Sequence, residues 1–74
     1  MSAVLDVKGL TCPLPVLRVK KRVRDLAADE TLQILATDPG APRDVEAFCA
    51  ADGPAFLGTR EEAGVCVIEI RRRA

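Results

Sequence analysis

At 74 residues, 49% hydrophobic and 30% charged, with eleven basic and eleven acidic side chains, the chain has the composition of one small globular domain, 1–74, and not of a disordered segment. A chain this short buries only ~60% of the surface it exposes when unfolded, so with two aromatics, Phe48 and Phe56, its core must be economical and built of Val, Leu, Ile and Ala. No apolar run approaches the ~20 residues a bilayer span requires and no charged-then-apolar leader is present, so a cytoplasmic protein is expected.

The first residues alternate Ala3, Leu5 and Val7 against Val4, Asp6 and Lys8, a period-two pattern that predicts a strand ended by Gly9. From Leu14 to Ala27 the period changes. At about 100° per residue, Val16, Val19, Val23, Leu26 and Ala27 share one sector and Arg18, Lys21, Arg22 and Asp25 lie opposite, with Lys20 and Arg24 on the border, which predicts an amphipathic helix with a basic outer face. A turn at Ala28–Glu30 leads to a second strand, in which Leu32, Ile34 and Ala36 face one way and Gln33, Leu35 and Thr37 the other.

Asp38-Pro39-Gly40 ends that strand. Pro42 suits the first turn of a second helix, where its missing N–H costs nothing; Val45, Phe48 and Cys49 form the apolar stripe and Gly53 the stop. Ala55–Arg60 and Val65–Arg72, separated by Glu61-Glu62-Ala63-Gly64, predict an antiparallel hairpin. The order β-α-β-α-β-β makes strands one and two parallel through a right-handed crossover. The expected fold is an α/β two-layer sandwich, a mixed four-stranded sheet with two helices on one face. Its open face carries Gln33, Thr37 and Glu69, and also Leu35, Val65 and Val67.

Three widely spaced cysteines, Cys12, Cys49 and Cys66, do not make a disulfide framework, and without histidine or a CxxC pair a metal site has little to build on. Cys49 and Cys66 fall on apolar stripes and read as core. Cys12 is different: it precedes a proline, which biases it away from helical backbone and toward the capping position, with Pro13 at the first helical position. There a thiol faces the positive end of the helix dipole, which favours thiolate. Pro13 and Pro15 delete two of the first N–H groups, so the sulfur is expected to receive a hydrogen bond from Leu14 and to be held outward on a stiff support. The plainer alternative is a small buried apolar residue. No neighbouring thiol stands ready to attack a persulfide on Cys12, so a sulfur atom placed there is retained for delivery.

The stretches LDVKGLTCPLPVLRVKK and ATDPGAPRDVEAFC closely resemble the TusA/SirA-like sulfur-carrier family across nearly the whole chain. The Cys-Pro-x-Pro motif is met by Cys12, Pro13, Leu14 and Pro15, with Gly9 and Leu10 ahead of it and the basic helix behind. The resemblance implies a sulfur carrier, or sulfurtransferase, whose Cys12 accepts sulfane sulfur from a donor protein such as a cysteine desulfurase or rhodanese and passes it to an acceptor protein. It implies neither metal nor organic cofactor, since each transfer is a displacement at sulfur.

By the same resemblance Asp38 matches an acidic residue before Pro39. It either turns the chain and caps the second helix or approaches Cys12 from the carboxyl edge of the sheet. Lys20, Lys21 and Arg24 match basic positions that either dock an acidic partner or form a solvated face. Leu14 and Thr11 depart from members of the tRNA-thiolation relay, which can carry an acidic residue and an arginine there; tRNA thiolation, molybdenum-cofactor supply and sulfur oxidation all stay open.

A non-catalytic regulatory or protein-interaction module of the same fold is the alternative function. RNA binding through the basic helix ranks last, because stacking aromatics are nearly absent and the net charge is zero. A monomer is expected, and the basic tail Arg71-Arg72-Arg73 is either disordered or a docking element.

Overall fold

Alternation in the strands and a helical period between them place every expected element. The computed structural model describes residues 2–73, with β1 (Ser2–Asp6), α1 (Leu14–Val23), β2 (Thr31–Ala36), α2 (Ala41–Asp52), β3 (Ala55–Glu62) and β4 (Val65–Arg71). The sheet order is β1-β2-β4-β3. β1 and β2 are parallel, and β4 runs antiparallel to both β2 and β3. The two central strands pair Leu32 with Ile70 and Ile34 with Ile68, all four fully buried. Val19 of α1 and Val45, Phe48 and Cys49 of α2 join the same cluster, so both helices cover one face. Among the described residues, no helix is long and apolar enough to cross a membrane.

Three details differ from expectation. The first helix ends at Val23, four residues before Ala27. The N–H groups of Asp25 and Leu26 tighten onto the carbonyls of Arg22 and Val23, three residues back, and Nη1 of Arg72 bonds the carbonyls of Val23, Arg24 and Leu26. Arg72 itself is fixed by backbone bonds to Glu30 and Asp29, so it is neither disordered nor a free docking group.

The hairpin turn is shorter than four residues, because Glu61 and Glu62 stay in β3 and only Ala63 and Gly64, with φ of 51° and 82°, make the reversal. Two successive positive φ values match the right-handed twist of the flanking strands. On the open face, Val67 is buried rather than exposed, at 4%. Its cross-strand partner Arg60 bonds Glu62 and Glu69 on either side and roofs it.

Candidate functional site

Parallel pairing brings the carboxyl ends of β1 and β2 to one edge of the sheet, and the loops that leave them build the site. The β1–α1 loop is hung from β2. Val7 N–H donates to the Leu35 carbonyl at 2.9 Å and Gly9 N–H to Thr37 Oγ1 at 2.9 Å. Gly9 has φ +81°, a left-handed conformation that a side chain would strain, and this turn directs the chain to Cys12.

The helix start is not the one expected. The Cys12–Pro13 peptide bond is cis, Pro13 is the N-cap, and α1 begins at Leu14 with Pro15 buried in its first turn. No side chain caps this end. The N–H of Leu14 goes to the Thr11 carbonyl at 2.8 Å, not to sulfur. Instead the exposed thiol of Cys12 donates to Asp44 Oδ2 at 3.1 Å, across to the first turn of α2.

That contact reverses the expected electrostatics. The hydrogen bond to Asp44 pushes the Cys12 thiol above its ordinary pKa, with desolvation and the charges of Asp44 and Asp38 acting in the same direction. The acceptor carboxylate favours the protonated thiol, opposite to the effect expected of the helix dipole.

Asp38 is near Cys12 in the sense that its charge acts on the thiol, and its backbone carbonyl accepts the Ala41 N–H at 3.1 Å to close the turn. The capping bond expected of it is not made: Gly40 is the N-cap of α2 and no side chain bonds there. Its Oδ2 is buried without a hydrogen-bond partner among the described residues.

A groove of about 410 Å³ runs between the helices from Cys12, with Pro13, Val16, Lys20, Asp44 and Phe48 among its walls. Lys20 lies over the Phe48 ring, 5.8 Å from its centroid. The three basic residues singled out in the sequence are not gathered together. Lys20 faces this groove, Lys21 stands with Arg18, Arg22 and Asp25 on the other side of α1, and Arg24 lines a separate hollow with Arg72. Leu14 and Leu17 stand 44% and 50% exposed, one turn apart at the start of α1.

The other cysteines are not presented. Cys49 is buried at 4% exposure, and burial together with Glu46 pushes its thiol up to about 11; Cys66 is partly buried and is raised by burial and Glu61. Asp44 and Leu17 were missed in the sequence. The signal for Asp44 was its place in the first turn of a helix that starts at the same sheet edge as Cys12, where an acidic side chain is favoured by the dipole.

Comparison with known proteins agrees with this architecture. Residues 3–72 match the family described as Sulfurtransferase TusA. The sulfur carrier protein TusA of Pseudomonas entomophila is 47% identical over 73 residues, covering 99% of this chain and 91% of the relative. A putative sulfur carrier protein of Neisseria meningitidis serogroup A is 44% identical over 72 residues, covering 97% of each chain. In fold, the crystal structure of a SirA-like protein from Desulfitobacterium hafniense matches with a TM-score of 0.84 at 22% identity, over 97% of this chain and 99% of that one.

Proposed function

The chain belongs to the TusA family of sulfur carriers, and from that premise we propose that Cys12 is the residue that carries the sulfur, as a persulfide. The observation that carries this reading is presentation. Cys12 is the exposed cysteine of the three, at the mouth of a groove, while Cys49 is buried and Cys66 partly so. A carrier works between partner proteins, and the sulfur must be reachable by both.

The chemistry needs only thiols. The Cys12 thiolate attacks the outer sulfur of a donor persulfide; a new S–S bond forms on Cys12, the donor's S–S bond breaks, and the donor sulfur leaves as a thiolate that takes a proton from water. The acceptor thiolate then attacks the terminal sulfur on Cys12, which leaves in turn as thiolate. Each step conserves electrons, so the relay runs without a cofactor.

We assign the donor to a cysteine desulfurase or rhodanese class of protein in the reducing interior of the cell, with the exposed Leu14 and Leu17 at the start of α1 as the apolar contact. Gly9, Pro13 and Pro15 support presentation, and Lys20 is the basic position nearest the groove.

The test is intact mass after incubation of the reduced protein with a desulfurase plus cysteine, or with a rhodanese plus thiosulfate. The expected result is a gain of one sulfur atom, reversed by reductant and absent from Cys12→Ser. Loading of Cys12→Ser to the same extent would move the carrier role to another cysteine. A Cys12→Ser variant that retains full function would favour an interaction module instead.

A further inference from the structure

The mouth of the groove carries an imbalance of charge that sulfur carriage alone does not require. Asp44 accepts the Cys12 thiol at 3.1 Å. Asp38 comes from the turn before α2, and a Cβ built on Gly40 would lie 3.4 Å from Asp38 Oδ2 and 4.0 Å from Asp44 Oδ2, so both carboxylates stand within van der Waals reach of the same position; the charges of both act on the Cys12 thiol. Of the other charged groups along the groove, Lys20 from α1 is held over Phe48 and Asp52 from α2 adds a further negative charge. A thiolate formed at Cys12 therefore faces two acidic groups. It loses its hydrogen-bond acceptor at the moment it loses its proton.

We propose that Asp44 is a latch on Cys12: in the free carrier it holds the thiol as a hydrogen-bond donor, and a lysine or arginine beside the partner protein's reactive cysteine releases it by pairing with Asp44. The proposal rests on Cys12 as the sulfur-bearing residue and adds the chemistry of the surface that engages it. Asp44 is a positioning residue that acts through Cys12.

The physical basis is direct. A carboxylate that accepts from S–H stabilises the protonated thiol and repels the thiolate. A cation paired with that carboxylate cancels both effects and is attracted to an acidic mouth. Once released, Cys12 gives its proton to water, its sulfur bonds the outer sulfur of the partner persulfide as the partner's S–S bond breaks, and the departing thiolate is reprotonated. The latch keeps a solitary exposed thiol quiet until a partner arrives.

Two rate measurements on the full chain test this, with modification assigned to Cys12 by peptide mass mapping. The first is alkylation by iodoacetamide across pH, comparing wild type, Asp44→Asn and Glu46→Gln, which removes the same unit charge from the same helix away from Cys12. Asp44→Asn is expected to react from a lower pH, several-fold faster at pH 7, and Glu46→Gln to follow the wild type.

The second is thiol–disulfide exchange with cystamine, a cationic disulfide, and with dithiodiglycolate, an anionic one. Wild type is expected to prefer cystamine, and the preference to fall roughly 25-fold in Asp44→Asn, about five-fold from each reagent, the factor for unit charges about 4 Å apart in water. A folded Asp44→Asn with the wild-type pH profile and charge preference overturns the latch.

Should that variant not fold, the wild type still decides: its preference for cystamine must weaken with added salt, and a preference that salt does not change overturns the proposal. Neither readout involves sulfur transfer. Failure of Cys12 to load with sulfur would therefore sink the carrier reading and leave these rates standing, whereas unchanged rates sink the latch whether or not Cys12 loads.

Discussion

At the C-terminal end of α1 the carbonyls of Val23, Arg24 and Leu26 converge on one nitrogen of Arg72, whereas at its N-terminal end no side chain caps the helix and the side-chain hydrogen bond just ahead of it, Cys12 to Asp44, uses the thiol itself. One end is tied by groups with no chemistry to perform, drawn from the end of β4. The other leaves the thiol of Cys12 bound by a single side-chain bond. A partner that displaces Asp44 from Cys12 need not disturb the Arg72 clamp, which is set at the other end of α1. The difference teaches that the two ends of one helix are held unequally, one by a clamp on three carbonyls and the other by one thiol–carboxylate bond.

The largest way to break this division is at the clamp. Arg72→Met removes a charged donor from three carbonyls and is expected to cost roughly 1.5–3 kcal/mol, the range for hydrogen bonds to a charged group. For a domain of this size that lowers the melting temperature by roughly 6–24 °C, since each kcal/mol is worth about 4–8 °C. Arg72→Lys should fall between, since a compact ammonium cannot reproduce the planar fork. The Cys12 alkylation rate should stay at its wild-type value below the transition. A variant that loses stability and also changes that rate would show the two ends to be coupled.

The clamp also marks where sequence reasoning stops. Local period placed all six elements, and the alternation of Leu32, Ile34 and Ala36 matched their burial, because one side of a strand meets the core and the other does not. The same local rule extended α1 to Ala27: Leu26 and Ala27 lie in the apolar sector, and Leu26 is indeed buried, yet not as helix. What ends the helix is a guanidinium more than forty residues away, which no window of sequence contains.

The pairing of β2 with β4 was illegible for a related reason, since the crossover and the hairpin fix the other two pairings but period two does not say which strand of the hairpin joins β2. At the site, Cys12 and the motif around it were legible from the prolines and the family resemblance. Asp44 was not, because its contact with Cys12 spans 32 positions and depends on how two helix starts meet at one sheet edge.

A smaller effect is expected at the turn that carries Cys12. A Cβ on Gly9 meets nothing within 4 Å, so Gly9→Ala tests backbone conformation alone. With φ at +81° it should cost roughly 1–2 kcal/mol. Gly9→Asn should cost less, because asparagine tolerates the left-handed region. Hydrogen exchange gives the sharper reading: the residue 9 amide, bonded to Thr37 Oγ1, should lose protection in the alanine variant while the amides of β2 and β4 keep theirs. Equal loss everywhere would mean that the loop is part of the global folding unit.

The smallest effect separates Lys20 from Lys21. Lys20 sits over Phe48, so Lys20→Met gives up a cation–ring contact and keeps most of the apolar stem, a loss of about 0.5 kcal/mol. Lys21→Met, on the side of α1 shared with Arg18, Arg22 and Asp25, should change stability by less than that. Both variants remove one positive charge from the same helix, so a docking role that follows net charge alone predicts equal weakening of donor affinity. A role confined to the groove predicts weakening in Lys20→Met and little in Lys21→Met. Paired urea melts and donor titrations of the two variants therefore decide whether the basic face of α1 acts as a diffuse field or through the one lysine that the groove holds in place.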